Sequence, residues 1–141
     1  MTEYKAFISY RHKPRDRRWA EWLLHQLETF RTPAYLTKRG VPARVGKIFR
    51  DDDEIPASPD LSKQIENALE ASEFLIVICS PETPDSQWVR REIEIFKSWG
   101  RGHRILALLV EGEPEISFPP ELTTALDPET GKDVAAEPIA A

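Results

Sequence analysis

The chain has 141 residues, 40% of them apolar, which is long enough for one domain with a buried core. Its 19 basic and 24 acidic residues give a net charge of −5, which disfavours non-specific binding to nucleic acid or to an anionic membrane. The sequence has no signal pattern and no apolar run long enough to span a bilayer. Its one cysteine, Cys79, lies in an apolar run and is predicted to be a core residue. We expect a single cytoplasmic domain over residues 1–141.

The first third of the chain predicts a strand, a helix and a second strand. Tyr4–Ser9 is rich in aromatic and β-branched residues, which favours a buried strand. From Asp16, apolar residues recur at spacings of three and four and predict a helix that ends at Thr32-Pro33. The residues of this predicted inner face are Trp19, Trp22, Leu23, Leu27 and Phe30. Residues 31–44 lack periodicity and predict a surface loop before a strand at Val45–Phe49.

The middle of the chain predicts an exposed loop, a helix and a fully buried strand. The charged residues 50–58 favour a loop, and Ser58-Pro59 is a typical helix start. The predicted inner face of this helix consists of Leu61, Ile65, Ala68 and Leu69. Phe74–Cys79 is apolar at six consecutive positions, which is typical of a parallel strand covered on both faces.

The last elements are a helix, a strand and a proline-rich segment. Thr83-Pro84-Asp85 predicts another helix start, and the helix should end near Trp99-Gly100. Its apolar stripe is Val89, Ile93 and Phe96. Ile105–Val110 predicts a fourth strand. Residues 112–141 are rich in proline, and we expect there a short helix near Glu121–Leu126 and a weak strand near Val134.

The alternation of strands and helices predicts an α/β three-layer sandwich with a central parallel sheet of four or five strands and helices on both faces. Ligands of such sheets bind outside the carboxyl ends of the strands. In this chain the residues expected at that edge are Tyr10-Arg11-His12, Arg50 to Ser58, Ser80-Pro81-Glu82, and Trp88 and Glu92 in the first turns of the helix that follows.

Trp88 and Glu92 are four residues apart and therefore share one helical face, offset from the apolar stripe. One interpretation is structural: a half-buried indole that packs, and a solvated carboxylate. The other is functional: an aromatic platform for a ribosyl substrate, beside a carboxylate that stabilises an oxocarbenium-like transition state. Spacing alone leaves both open.

Four segments in order resemble the Toll/interleukin-1 receptor (TIR) domain family over roughly Tyr4 to Leu126. Phe7-Ile8-Ser9-Tyr10-Arg11 resembles the opening box of these domains, and Phe49-Arg50-Asp51 to Ser58 resembles the start of their BB loop. Ser80-Pro81 follows the third strand as in that family. Trp88-Val89-Arg90-Arg91-Glu92 resembles the helix start of its NAD⁺-cleaving members.

The resemblance implies a flavodoxin-like fold and an NAD⁺ hydrolase or ADP-ribosyl cyclase acting in immune or stress signalling. NAD⁺ would be the substrate, and no cofactor is expected. Glu92 would be the catalytic residue, with Trp88, Tyr10, Arg11, Phe49, Arg50 and Ser80 binding the substrate. Activity would require self-association through the BB loop, whose residues here are Asp51, Asp52, Asp53, Glu54, Ile55 and Pro56.

Two alternatives remain open at this point. One is a non-catalytic adaptor that works by homotypic TIR contacts, and the other is a decoy that binds the TIR proteins of a host. The chain stops where a closing helix is expected, so we also expect fusion to a sensor or oligomerising domain.

The remaining charged and metal-binding residue types predict no further chemistry. The run Asp51 to Glu54 is consecutive, whereas calcium ligands normally alternate along a loop, so we expect no metal site. The histidines lie in three different elements without a metal-ligand spacing. The cluster Arg11, Lys13, Arg15, Arg17 and Arg18 either meets a pyrophosphate or an acidic subunit, or is ordinary solvated surface.

Overall fold

A computed structural model describes residues 3–50, 63–122, 124–126, 133–135 and 139–140. Its strands are β1 (Tyr4–Ser9), β2 (Ile48–Arg50), β3 (Ser72–Cys79), β4 (Ile105–Leu109), β5 (Thr124–Leu126), β6 (Asp133–Ala135) and β7 (Ile139–Ala140). Its α-helices are α1 (Pro14–Thr29), α2 (Ala34–Thr37), α3 (Lys63–Glu70), α4 (Gln87–Ser98) and α5 (Pro114–Ser117). No helix in these described ranges is long and apolar enough to cross a bilayer.

Five of the described strands form one parallel sheet in the order β2-β1-β3-β4-β7. β1 lies between β2 and β3, with Phe7 opposite both Phe49 and Leu75. The first connection along the chain leads to one side of β1 and the later ones to the other side. The α/β sandwich with a parallel sheet of four or five strands is therefore confirmed.

Helices cover both faces of the sheet, as the sequence predicts. On one face, α1 packs on Ile8, Tyr10 and Ile78 through Ala20 and three half-buried leucines. On the other face, α3 and α4 pack on the larger core cluster. Its fully buried members include Phe7, Leu69, Leu75, Val77, Val89, Ile93 and Phe96. Residues of alternate parity along β1 thus serve two separate cores, which is the pattern of a strand buried on both sides.

The predicted inner face of α1 is wrong at its tryptophans. Trp19 and Trp22 are 37% and 49% exposed, and their rings contact each other at 5.6 Å on the outside of the helix. Phe30, also placed inside by the prediction, is 50% exposed just after α1 ends. The buried stripe begins instead at Asp16 and Ala20, each fully buried, so the helix is rotated by about one residue from the apolar maximum.

α4 begins later than the sequence predicts. Thr83–Asp85 forms a 3₁₀ turn, and α4 starts at Gln87 with Ser86 as its N-cap. Thr83 does not cap the helix because its hydroxyl is turned inward, where it accepts a hydrogen bond from the Ser80 amide at 2.8 Å. The apolar stripe and the end of the helix near Gly100, whose φ is +76°, are confirmed.

The C-terminal helix predicted near Glu121–Leu126 is also wrong. Residues Pro120–Leu122 form a single 3₁₀ turn, and β5 follows and pairs antiparallel with β6. One pair of leucines four residues apart is too short a pattern to separate helix from strand, and pairing with β6 satisfies the backbone groups of β5. The predicted strand near Val134 is confirmed as β6, and β7 adds the fifth strand beside β4.

Several predicted features fall on residues outside the described ranges. These are the charged loop after Arg50, the helix start at Ser58-Pro59, and Leu61. The described remainder of the second predicted helix, α3, buries Ile65, Ala68 and Leu69 as expected. The predicted surface loop at residues 31–44 contains one helical turn, α2, which has no fully buried residue.

Candidate functional site

The carboxyl ends of β1, β2 and β3 meet at one edge of the sheet, where the direction of the strand connections changes between β1 and β3. Ligands of doubly wound sheets bind outside this edge. β1 delivers Tyr10 to it and β3 delivers Ser80, each as the residue directly after the strand. α4 starts at the same edge because it follows β3 after one 3₁₀ turn. The candidate site is thus assembled from distant parts of the chain.

Glu92 is a fully buried acid at this edge. It lies in α4, whose first turn is fixed by the Ser86 hydroxyl, which accepts a 3.2 Å hydrogen bond from the Val89 amide. The hydroxyl of Ser9, the last residue of β1, donates a 2.7 Å hydrogen bond to Glu92 Oε1. Ser9 faces α4 because it shares a face of β1 with Phe7, which lies in the core cluster beneath α4.

Stability alone does not explain a carboxylate in this position. Withdrawal of a charged group from water costs several kcal/mol even after the surroundings relax. An apolar residue of similar volume would complete the core between α4 and β1 without that cost. Buried acids that the fold does not need are typical of functional sites. The burial of Glu92 therefore favours the functional interpretation over that of a solvated surface acid.

A cavity of about 200 Å³ opens beside the first turn of α4. The described residues that line this α4 cavity are Tyr10, Arg11, His12, Lys13, Ser86 and Trp88. The Tyr10 ring is fully buried and stacks on the His12 imidazole, with ring centres 4.6 Å apart. Glu92 lies one helical turn beyond Trp88 and is not among the lining residues. The volume is below the roughly 300 to 1,000 Å³ of typical small-molecule pockets.

The structure brings Tyr10, Arg11 and Trp88 together, and it places the other three predicted binding residues elsewhere. Phe49 stacks on Phe7 with ring centres 5.0 Å apart and packs against the core. Arg50 Nη1 lies 3.4 Å from a carboxylate oxygen of Glu21 on α1. Ser80 is fully buried. None of these three is among the described residues that line the α4 cavity.

A buried polar network beneath the edge has no counterpart in the sequence-based prediction. Asp16 Oδ2 accepts a 3.0 Å hydrogen bond from the Ser80 hydroxyl. The Thr83 hydroxyl accepts a 2.8 Å hydrogen bond from the Ser80 amide and donates a 3.3 Å hydrogen bond to the Ile78 carbonyl. Asp16, Ser80 and Thr83 are all fully buried. The network connects the first turn of α1 to the end of β3. The sequence feature that pointed to it was Asp16, an acid at the start of a helix.

An ionic cluster lies next to Arg11, which lines the α4 cavity. Arg15 forms ion pairs with Glu82 and, at 2.9 Å, with Glu111. Arg11 Nη1 lies 4.0 Å from the same Glu82 carboxylate. The hydrogen bond from Arg15 is the main reason why the pKa of Glu82 is lowered, and the same bond raises the pKa of Arg15. Two cations of the predicted basic cluster are therefore engaged within the domain.

Two further predictions about the site concern self-association and metal binding. The predicted self-association segment, residues 51–56, lies outside the described ranges. Among the described residues, no group of three or more histidine, cysteine or acidic side chains is arranged to hold a metal ion.

A family model and a curated relative match this chain. The TIR domain family model matches residues 6–133. The NAD(+) hydrolase ApTIR of Actinoplanes sp. is 34% identical over 110 residues, which make up 78% of this chain and 14% of that protein. The chain therefore spans a small part of the length of the curated relative that it matches.

Many solved structures share the fold. The TIR domains of the activated Roq1 resistosome, which directly recognises the pathogen effector XopQ, align with a TM-score of 0.55 and 20% identity over 79% of this chain and 60% of that one. A prokaryotic SEFIR domain aligns with a TM-score of 0.53 and 17% identity over 88% of this chain and 82% of that one. These likenesses show a shared fold, and the family match covers most of the residues. The chain therefore belongs to the TIR domain family.

Proposed function

We propose that this domain cleaves NAD⁺ at the bond between nicotinamide and ribose, with Glu92 as the catalytic carboxylate. The observation that carries the proposal is the full burial of Glu92, which Ser9 holds one helical turn beyond Trp88 at the carboxyl edge of the sheet. The similarity to a protein named as an NAD(+) hydrolase supports the same substrate.

A single carboxylate is sufficient for this chemistry. The nicotinamide ring of NAD⁺ is a pyridinium, so it leaves as a neutral molecule and needs no proton from a general acid. Positive charge develops on the ribose as the bond breaks, and a carboxylate held close to it stabilises that charge. The hydrogen bond from Ser9 fixes one oxygen of the Glu92 carboxylate. Because both oxygens belong to the same planar group, the direction of the second oxygen is fixed as well.

The residues of the α4 cavity have roles that follow from their chemistry. The indole of Trp88 provides a flat surface on which a nicotinamide ring or a ribose packs. Arg11 provides a cation at the same cavity. Attack on the ribosyl cation by water gives ADP-ribose, and attack by an adenine nitrogen gives the cyclic product. Both outcomes use the same first step.

We further propose that self-association completes the pocket. A cavity of about 200 Å³ accommodates part of a dinucleotide, so the remainder of the substrate needs a surface from another element or another copy of the domain. The segment 51–56 is our candidate for that contribution. An immune or stress-signalling role for the reaction stays a prediction of the resemblance.

The decisive experiment measures NAD⁺ consumption and nicotinamide release by the domain, free in solution and clustered on beads. We expect turnover in the clustered state and a loss of at least about a hundredfold in Glu92→Gln, because the charge that stabilises the transition state is removed. Glu94→Gln is the matched control, since Glu94 is an exposed acid two residues away on α4. Equal turnover by Glu92→Gln and the unsubstituted domain would contradict the proposal.

A second candidate function is a non-catalytic adaptor. It is favoured by the absence of Glu92 from the described residues that line the cavity. The adaptor predicts no NAD⁺ consumption in either state, and loss of assembly when residues 50–58 are altered. The same experiment therefore separates the two candidates.

A further inference from the structure

Three cations on α1 and its N-cap lack the partners that engage their neighbours. Lys13, Arg17 and Arg18 are exposed, and none of them has an ion-pair partner among residues 3–50 and 63–122. Arg11 and Arg15, in the same segment, are instead engaged by acidic side chains. The basic cluster is therefore divided into a neutralised part and an available part.

The available cations line a groove of about 500 Å³, here called the α1 groove. Its described lining residues are His12, Lys13, Pro14, Arg17, Arg18 and Glu21. The acid in this set, Glu21, lies 3.4 Å from the guanidinium of Arg50, which balances its charge. Among the described residues that line it, the groove therefore has a net excess of positive charge.

The α1 groove adjoins the α4 cavity. His12 and Lys13 line both of them, so the two spaces adjoin at these residues. The groove also surrounds the start of α1, a helix of 16 residues whose first amide groups add positive potential at the same place.

Helix stability does not account for these cations. Positive side chains at the start of a helix oppose its dipole, and Lys13 at the N-cap makes no side-chain capping hydrogen bond. A residue with a short acceptor side chain would serve the helix better at that position. These positive charges are thus unfavourable for the helix itself. A bound anion would make their interaction energy at this position favourable.

We propose that the α1 groove binds the pyrophosphate of the dinucleotide whose nicotinamide ribose occupies the α4 cavity. The inference rests on the proposed function for its substrate. The first phosphate of NAD⁺ is attached to the 5′ oxygen of the ribose that carries nicotinamide, so an anion site must adjoin the ribose site. Lys13, shared by the groove and the cavity, meets that phosphate, and Arg17 and Arg18 meet the second.

The test combines a triple charge variant with two substrates. In Lys13→Gln/Arg17→Gln/Arg18→Gln, we expect the KM for NAD⁺ to rise about tenfold at low salt, with kcat changed less than about twofold. Nicotinamide riboside has the same scissile bond and no phosphate, so its kcat/KM should not change in the double variant Arg17→Gln/Arg18→Gln, which keeps Lys13 at the α4 cavity. Added salt should reduce the difference in NAD⁺ KM between variant and unsubstituted domain.

A second triple variant controls for the loss of three charges. Arg31→Gln/Lys38→Gln/Arg39→Gln removes exposed cations beyond the C-terminal end of α1, at the edge of the sheet opposite the site. It should leave the KM for NAD⁺ unchanged. An unchanged NAD⁺ KM in the triple groove variant, or an equal loss of nicotinamide riboside cleavage in Arg17→Gln/Arg18→Gln, would overturn the proposal.

A binding measurement separates this inference from the proposed function. ADP-ribose contains the pyrophosphate and no scissile nicotinamide bond, so calorimetry reports on the groove even if NAD⁺ is not cleaved. Binding to the unsubstituted domain that is lost in the groove variant and kept in the control supports the groove, whatever the turnover. Binding that appears only after Asp51, Asp52, Asp53 and Glu54 are changed to amides would assign the groove to that acidic segment instead.

Discussion

Ser9 and Glu92 lie 83 residues apart in the sequence, and a 2.7 Å hydrogen bond between buried side chains joins them. Ser9 is the last residue of β1, and Glu92 lies in the second turn of α4. The bond therefore connects a central strand directly to the helix that carries the proposed catalytic acid. Its geometry depends on the packing of α4 against the sheet, which sets the distance between the two backbones.

The first prediction concerns Ser9 as a positioning residue. Ser9→Ala removes the donor that fixes the Glu92 carboxylate, so we expect kcat for NAD⁺ to fall about tenfold with little change in KM. Unfolding stability should fall by about 1–3 kcal/mol because a buried acceptor loses a partner. Steady-state kinetics in the clustered state and urea denaturation measure the two effects.

Ser9→Thr is the conservative control, because threonine keeps the hydroxyl and is favoured in strands. It should restore most of the kcat that alanine loses. If alanine and threonine variants have equal kcat values, the hydroxyl does not position the acid, and the role of Ser9 is confined to packing.

The second prediction concerns the buried pair of Asp16 and Ser80. Asp16→Ala should lower the free energy of unfolding by about 2–3 kcal/mol, since it leaves the buried Ser80 hydroxyl without its 3.0 Å acceptor. Ser80→Ala should be destabilising for the reciprocal reason. The double variant should be destabilised by about 1–2 kcal/mol less than the sum of the two single variants. Strict additivity in urea denaturation would show that the two residues are not coupled.

The strand pattern of this fold is readable from sequence because burial on both faces leaves a simple signature. β3 is apolar from Phe74 to Cys79 and lies at the centre of the sheet, paired with β1 and β4. The buried face of α1 was harder to predict, because Trp19 and Trp22 have the apolar character of core residues and yet lie on the surface. Rotation of a helix by one residue depends on what it packs against, which local periodicity does not contain.

The candidate site was predictable in location more than in detail. The rule that ligands bind at the carboxyl ends of parallel strands placed Tyr10, Arg11 and Trp88 at one edge. The same rule placed Phe49 there, but whether its ring faces the cavity or Phe7 is decided by strand register. The contact of Ser9 with Glu92 was not predicted, since a serine in an apolar strand gives no sign of its distant partner.

The third prediction concerns acid unfolding. Folding lowers the pKa of Glu82 below its ordinary value of 4.5, mainly through the hydrogen bond from Arg15. A carboxylate of this kind stabilises the folded state at pH values above its unfolded pKa, and the contribution is lost as the pH falls through the lower folded-state pKa. Glu82→Gln should therefore be less stable than the unsubstituted domain near pH 7, with the difference shrinking below about pH 4.5.

Urea denaturation at pH 7 and at about pH 3 tests this pH dependence. The effect should be modest, because the Glu82 side chain is 43% exposed and water screens the ion pair. Glu28→Gln is a suitable control, since Glu28 is exposed on α1 and its side chain has no ion-pair partner among the described residues. A stability difference between Glu82→Gln and the unsubstituted domain that stays constant across pH would contradict the prediction.

The fourth prediction concerns Cys79, the last residue of β3. Burial, with a smaller contribution from the negative charge of Asp16, raises the pKa of its thiol to about 12. At pH 8 the thiol is therefore protonated and screened from solvent, and the thiolate is the reactive form. We expect a maleimide reagent to leave the folded domain unmodified, and to label one thiol per chain in denaturant. Treatment of the folded domain should not reduce NAD⁺ turnover.

Labelling of the folded domain as fast as the unfolded chain would mean that β3 opens readily, and the buried core described for α4 and β1 would then be wrong.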